Sequence, residues 1–188
     1  MRLFFGLSLP GPARSAVAAF AAQAQSAVPG RYVSADNYHV TLAFLGEVPP
    51  QRLKEAQETL SRCIRTFPAP RLLPAQAMLF GKSQNGILVL RFDSEPSLTP
   101  LHGALVGALR AQSLPADPGP FTPHVTLARH ARAQEDTLRA LGSPAAAGFD
   151  AGQAHVFLSA RGTDNILRYT PLFSTPFGQA LLIHVFNS

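Results

Sequence analysis

The sequence contains little of what several common protein classes require. It has one cysteine, Cys63, which excludes an internal disulfide and a cysteine-based zinc site. It has no tryptophan, and no apolar run approaches the ~20 residues of a membrane-spanning helix. The first ten residues have a short apolar run, but Pro10-Gly11-Pro12 interrupts it. We therefore interpret this stretch as a first β-strand rather than a signal peptide, and we expect a cytoplasmic protein without a membrane partner.

Several motifs for cofactor and metal binding are also missing. The chain has no Walker A loop, no dinucleotide fingerprint, no HExxH and no close spacing of histidine, cysteine and carboxylate. The sequence accordingly predicts no metal and no cofactor. The net charge is +5, and only two of the 16 basic residues are lysines. Arginine suits bidentate phosphate contacts, but a GC-rich coding sequence explains the same composition, so charge alone does not decide the function.

The most informative feature is a pentapeptide, His-Val-Thr-Leu-Ala, that occurs twice. The copies begin at His39 and His124, 85 residues apart. In an extended strand the histidine and the threonine two positions later lie on one side, about 6–7 Å apart, whereas the valine and the leucine face the opposite side. We therefore predict that His39 and Thr41 from one arm, and His124 and Thr126 from another, face one groove.

Two imidazoles and two hydroxyls around one bound group suit a phosphodiester. One neutral histidine can accept a proton from the nucleophile while a charged one donates to the leaving group. Hydroxyls can hold the non-bridging oxygens. The competing interpretation, that both histidines are ordinary core or surface residues, is disfavoured by the duplication. We expect structural roles for His102, His155 and His184, whereas His130 is either a surface residue or part of the groove.

The predicted elements alternate between strands and helices in a way that favours an α+β fold with mostly antiparallel pairing. In each half, a strand with the repeat follows a long helix and a loop rich in glycine and proline, which predicts two similar lobes in a single domain spanning residues 1–188. The predicted strands are 2–9, 38–45, 75–80, 87–92, one from 124, 153–159, 166–173 and 179–186, and the predicted helices are 13–28, 51–65, 98–112 and 134–141. Asn85-Gly86 predicts a hairpin tip. Cys63 falls on the apolar face of the second helix, where we expect it to be a core thiol.

Beyond the repeat, the chain resembles the bacterial and archaeal RNA 2′,3′-cyclic phosphodiesterases, also called 2′-5′ RNA ligases, of the two-histidine (2H) phosphoesterase superfamily. Residues 36–48 resemble the first motif of this family, residues 120–129 its second, and residues 2–10 its first strand. The closing hairpin resembles it at Leu158, Ser159, Arg161, Tyr169 and Phe173.

The resemblance implies a bilobal α+β fold around a central cleft, in an enzyme without metal. It implies hydrolysis of a 2′,3′-cyclic phosphate at an RNA 3′ end to a 2′-phosphate, with His39 and His124 as catalytic residues. We favour His124 as the base and His39 as the acid. Thr41 and Thr126 would bind the phosphate oxygens, and Arg129 would add a guanidinium contact to phosphate or RNA. We expect a monomer.

Two details depart from the simplest form of this hypothesis. Strict alternation puts Arg129 on the face opposite His124, so its role requires a bend or the end of the strand there. Relatives often carry tryptophan before the first motif, where this chain has a tyrosine. The aromatic residues then available for base stacking are Tyr32, Tyr38, Phe44 and Phe121.

Two other functions stay open at this point. One is ligation of tRNA halves through a 2′-5′ bond at the same site. The other is a non-catalytic module that binds RNA ends in the same cleft.

Overall fold

The computed structural model describes residues 1–117, 119–144 and 148–178. The strands within these residues are β1 (Arg2–Ser8), β2 (Arg31–Tyr32), β3 (His39–Glu47), β4 (Arg71–Lys82), β5 (Asn85–Glu95), β6 (His124–Ala131), β7 (Phe149–Asp150), β8 (Gln153–Arg161) and β9 (Leu167–Pro176). The α-helices are α1 (Gly11–Gln25), α2 (Leu53–Ile64), α3 (Leu98–Ala111) and α4 (Glu135–Leu141), with short 3-10 turns at Ala35–Asn37 and Pro50–Arg52. The predicted strand 179–186, with His184, lies outside the described residues.

The strands form two antiparallel sheets, each of which contains one copy of the repeat. One sheet has the order β3-β1-β8-β9, and the other has the order β2-β6-β5-β4-β7. The motif strands β3 and β6 contact each other across the two sheets. The predicted α+β class with antiparallel pairing is therefore confirmed, and the two copies meet at the junction of the sheets.

The apolar positions of the repeat anchor both motif strands in the core. Val40, Leu42, Val125 and Leu127 are each at most 1% exposed. Burial of side chains of this size stabilises the fold by roughly 1.5–3 kcal/mol each. This burial holds the backbone of each strand against its lobe and leaves the histidine and the threonine on the opposite side.

Both motif strands contain a β-bulge at the same position of the repeat. The ladder between β1 and β3 skips Leu42, and the ladder between β5 and β6 skips Leu127. The alanine after each leucine is buried as well, so the period of two is interrupted and the next residue changes face. Phe44 and Arg129 therefore face the same side as the histidine and the threonine. The bulge at Leu127 is the bend that the role of Arg129 required.

The long helices follow their predicted apolar periodicity. Helix α3 begins with Ser97 as its N-cap, since the Ser97 hydroxyl accepts a hydrogen bond from the Thr99 amide at 3.3 Å. Helix α2 packs against α3. On α2 the structure corrects one prediction: Cys63 is half-buried at the edge of the apolar face instead of within the core.

The hairpin between β4 and β5 differs from its prediction. Lys82 pairs with Asn85, so Ser83-Gln84 form the two-residue turn and Asn85-Gly86 begin the returning strand. Strand β4 also starts earlier than predicted, at Arg71, because a bulge after Pro74 lets the chain pass the proline and keep pairing with β5. The two-residue strands β2 and β7 are too short to produce a periodic pattern and were not predicted.

The helices within the described residues include none that is both long enough and apolar enough to cross a membrane.

Candidate active site

A cleft of about 440 Å³ opens where β3 and β6 meet. The polar residues of both copies of the repeat line it: His39, Thr41, His124 and Thr126. The structure thus brings together the four side chains that the repeat predicted to face one groove. Phe44 and Arg129, which the two bulges redirect, line the same cleft.

The two histidines are held in the same way. The Nδ1–H of His39 donates to the main-chain carbonyl of Asn37 at 2.7 Å, and the Nδ1–H of His124 donates to that of Thr122 at 2.7 Å. Because a carbonyl oxygen only accepts, each hydrogen bond assigns the proton of the neutral ring to Nδ1. Each Nε2 is then free to accept a proton from a bound group, or to return it once the ring is charged.

Aromatic rings surround His39 and one ring packs on His124. The rings of Phe4 and Tyr169 lie with their centroids 4.7 Å from that of His39. Phe80 packs edge-on against His124 at 4.9 Å. These contacts restrict the orientation of both imidazoles and exclude water from one side of each ring, which disfavours the charged forms.

Burial lowers the pKa of both histidines. The pKa of His39 falls from 6.5 to about 4, first because burial disfavours the imidazolium, and further because of the positive charges of His124 and Arg129; the hydrogen bond to Asn37 opposes this fall. Burial also lowers the pKa of His124, against the hydrogen bond to Thr122. Both imidazoles are therefore neutral at pH 7 in the ligand-free protein.

Asn37 connects the first motif to the closing hairpin. Its side-chain amide donates to the carbonyl of Leu167 at 2.8 Å and accepts from the amide of Tyr169 at 3.2 Å. Its own carbonyl holds the ring of His39. Asn37 thus positions His39 against β9. Sequence reasoning placed Asn37 only in a turn, because its partners lie 130 and 132 residues later in the chain.

Four further polar side chains that were not predicted as site residues line the cleft: Arg2, Ser159, Arg161 and Tyr169. Three of them belong to the closing hairpin, where the resemblance offered a signal. No acidic residue lines the cleft, and all 11 acidic residues of the chain lie within the described segments. The cleft therefore has a positive potential that favours an anion.

The four aromatic residues considered for base stacking lie in different places. Phe44 lines the cleft and is 49% exposed. Tyr32 does not line the cleft, and its hydroxyl donates to the carbonyl of Val28 at 3.0 Å. Tyr38 is buried in the core. Phe121 lines a smaller neighbouring cavity, where its ring stacks on that of His102 at 4.6 Å. Only Phe44 of this set is placed to meet a base in the cleft.

The other described histidines lie outside the cleft. His130 is exposed and is hydrogen-bonded to the Asn85 side chain at 2.9 Å. The Nδ1–H of His102 donates to the carbonyl of Leu42, at the bulge of β3, at 2.8 Å. His155 is hydrogen-bonded to two serine hydroxyls. Among the described residues, no group of three histidine, cysteine or acidic side chains could hold a metal ion.

Comparisons with known proteins relate the chain to one superfamily. Residues 12–163 match the model of the 2′-5′ RNA ligase superfamily. An RNA 2′,3′-cyclic phosphodiesterase of Escherichia coli K12 is 35% identical over 136 residues, which cover 69% of this chain and 72% of that protein. An RNA 2′,3′-cyclic phosphodiesterase of Geobacillus stearothermophilus is 31% identical over 144 residues, which cover 73% of this chain. The match spans only 46% of the length of the Geobacillus protein.

Solved structures share the fold along almost the whole chain. The crystal structure of Escherichia coli LigT in apo form has a TM-score of 0.77 and 29% identity, and covers 95% of this chain and 98% of that chain. The same protein complexed with 3′-AMP has a TM-score of 0.78 at the same identity and coverage. The predicted bilobal α+β fold around a cleft is therefore confirmed.

Proposed function

The chain belongs to the 2′-5′ RNA ligase superfamily, and we propose on this premise that it is an RNA 2′,3′-cyclic phosphodiesterase, which hydrolyses the cyclic phosphate at an RNA 3′ end to a 2′-phosphomonoester. One observation carries the proposal: two imidazoles, each fixed through Nδ1, present a free Nε2 to one cleft. Both relatives are named RNA 2′,3′-cyclic phosphodiesterases, which supports the choice of substrate.

The reaction needs two proton transfers on opposite sides of one phosphorus. A water molecule attacks the phosphorus in line with the bond to O3′, and the neutral histidine takes the proton of that water. The P–O3′ bond breaks, and the charged histidine donates its proton to O3′. The phosphate stays on O2′. Positioned acid and base groups of this kind contribute typically 10²–10⁴-fold to a rate.

The remaining side chains of the cleft bind the substrate. Thr41 and Thr126 donate hydrogen bonds to the non-bridging oxygens, whose charge grows as water adds. Arg129 adds a guanidinium contact to phosphate or RNA. Phe44, at the rim of the cleft, offers a face on which a base can stack.

Which histidine acts as the acid and which as the base depends on their pKa values when the substrate is bound. The free protein holds both rings neutral, so the negative phosphate must raise the pKa of one of them until that ring takes up a proton from the solvent and can act as an acid. With His124 as the base and His39 as the acid, the substrate has to raise the pKa of His39 strongly from about 4. This assignment stays a prediction from the sequence.

Ligation is the second candidate, and the name of the superfamily favours keeping it. A 5′-hydroxyl would take the place of water and form a 2′-5′ bond at the same phosphorus. A module that only binds RNA ends fits less well, because the arginines of the cleft suffice to attract an anion, whereas two neutral imidazoles fixed through Nδ1 supply proton-transfer groups that binding alone does not need.

The proposal is tested by incubation with an oligoribonucleotide that ends in a 2′,3′-cyclic phosphate, followed by identification of the product. We expect a 2′-phosphate, no effect of EDTA, and loss of turnover in His39→Ala and in His124→Ala. His130→Asn is the matched control, because His130 is an exposed histidine on the same strand as His124 but outside the cleft. A 3′-phosphate product, or full activity in either alanine variant, would overturn the proposal.

A further inference from the structure

The bulges of the two motif strands are held by different kinds of group. Strand β6 has β2 on its outer side, and the amide of Val33, directly after β2, donates to the carbonyl of Leu127 at 2.8 Å. Strand β3 lies at the edge of its sheet, where no further strand of the described residues pairs with it. Leu42, the equivalent of Leu127 in the repeat, instead accepts a hydrogen bond from the Nδ1–H of His102 at 2.8 Å. A side chain of α3 thus does for the first copy what a main-chain amide does for the second.

The hydrogen bond to Leu42 stabilises the bulged form of β3. The ladder with β1 skips Leu42, and this residue is only 1% exposed. A buried carbonyl without a partner is costly, so the bulge needs a donor at this place. A regular strand without the bulge would turn Phe44 to the face opposite Thr41. Both residues line the cleft only in the bulged form.

A second contact fixes the imidazole of His102. Its ring stacks on that of Phe121, with 4.6 Å between the centroids and 8° between the planes. Phe121 lies in the loop before β6, and the carbonyl of the next residue, Thr122, accepts the Nδ1–H of His124. One ring therefore contacts both the bulge of the first motif strand and the loop that orients the second histidine.

We propose that His102 is a positioning residue for the reaction, because its hydrogen bond to Leu42 keeps β3 in the arrangement that receives the substrate. The link to turnover rests on the proposed function. His102 does not line the cleft, so it acts through the main chain of β3 and not on the phosphate. It lines a neighbouring cavity of about 110 Å³ together with Thr41 and Phe44, the two residues that it positions.

Two variants separate the hydrogen bond from the stacking contact. His102→Phe keeps an aromatic ring that can stack on Phe121 and removes the donor to Leu42. His102→Asn removes the aromatic ring and keeps a donor, since the amide nitrogen of asparagine takes the place of Nδ1. Leu109→Val is the matched control: Leu109 is buried about two turns further along α3 and lines neither cavity.

The measured quantities are Tm and the kcat and KM for a 2′,3′-cyclic mononucleotide. We expect His102→Phe to lower kcat about tenfold or more and to raise KM, because small displacements of groups that bind the substrate are costly. His102→Asn should keep both constants within about threefold of the wild type, since its donor replaces Nδ1–H. Leu109→Val should lower Tm and leave both constants unchanged.

Three results would overturn the inference. A His102→Phe protein with a lowered Tm but the kcat and KM of the wild type would assign only a structural role to His102. Equal losses in the phenylalanine and asparagine variants would exclude the hydrogen bond as the cause, and equal losses in Leu109→Val would show a general effect of loosening α3. Should His102→Phe fail to fold, His102→Ala replaces it, because water can then reach the carbonyl of Leu42; the kcat of the wild type in that variant would be equally contradictory.

Amide hydrogen exchange makes the test independent of the proposed function. In His102→Phe the amides of β3 should exchange about tenfold faster, whereas those of β6, whose bulge is held by Val33, should keep their rates. If the wild-type protein hydrolyses no cyclic phosphate, the proposed function fails and exchange alone decides on His102. Unchanged protection along β3, or equal acceleration in β3 and β6, would then overturn the positioning of the bulge by His102.

Discussion

The pH dependence of kcat/KM follows from the burial of the two histidines. The reactive form of the site carries one neutral and one charged imidazole, whereas the free protein holds both of them neutral near pH 7. A fall in the pKa of His39 from 6.5 to about 4 corresponds to about 3 kcal/mol of disfavoured protonation. The free protein must therefore take up a proton before or during substrate binding.

The lowered pKa values fix the sign and the slope of the pH dependence of kcat/KM. Both pKa values lie below 6.5, so each pH unit above that value lowers the singly protonated fraction about tenfold. We expect log kcat/KM to fall with a slope near −1 between pH 7 and 9. In the complex, the negative phosphate raises the pKa of the charged imidazole, so kcat should begin to fall at a higher pH than kcat/KM does.

The assay is steady-state hydrolysis of a 2′,3′-cyclic mononucleotide from pH 5 to 9 at constant ionic strength. The phosphodiester of the substrate does not titrate in this range, so the profile reports the protein. His130→Asn should reproduce the wild-type profile, because His130 is exposed and lies outside the cleft. A kcat/KM that stays constant or rises between pH 7 and 9 would refute the reasoning about the two buried imidazoles.

Two substitutions test the groups around the histidines. Thr41→Val removes the hydroxyl and keeps the shape of the side chain, and we expect kcat to fall about 10–100-fold. Thr41→Ser keeps a hydroxyl and should retain most of kcat. A valine variant with the kcat of the wild type would show that this hydroxyl does not bind the phosphate in the transition state. Asn37→Ala removes two hydrogen bonds to β9, which costs about 1–3 kcal/mol of stability. We expect Tm to fall by several degrees and kcat to fall as well. A Tm equal to that of the wild type in a calorimetric scan would contradict the positioning role.

The features of the site that were predicted from sequence are those that local residue types encode. An imidazole and a hydroxyl two positions apart on a strand share one side, and Val40 and Leu42 on the other side need a core. Because the pattern occurs twice, the same argument placed His124 and Thr126 without any knowledge of tertiary contacts. The structure brings all four polar side chains into one cleft.

The features that were not predicted depend on partner strands. A bulge at Leu127 arises from the ladder with β5, so the alternation of β6 alone assigned Arg129 to the wrong face. Asn37 binds Leu167, 130 residues away, and only the closed fold makes that contact visible.

Position in the fold, and not residue type, decides which aromatic residue can stack on a base in the cleft. Tyr32 and Phe44 were equal candidates for base stacking as residue types. Tyr32 donates its hydroxyl to the carbonyl of Val28, just beyond the end of α1, whereas the bulge at Leu42 redirects Phe44 into the cleft. The position of a bulge therefore selects which aromatic residue is available to a base.

The central claim is that the two copies of the repeat act as one catalytic unit on one phosphate. The most direct test is kcat/KM for a 2′,3′-cyclic nucleotide in His39→Ala, in His124→Ala and in the double variant. If one histidine needs the other, each single variant should lose nearly all of the rate enhancement and the double variant should lose no more than either one. Losses that multiply in the double variant would contradict the claim, because they would mean that the two arms act independently.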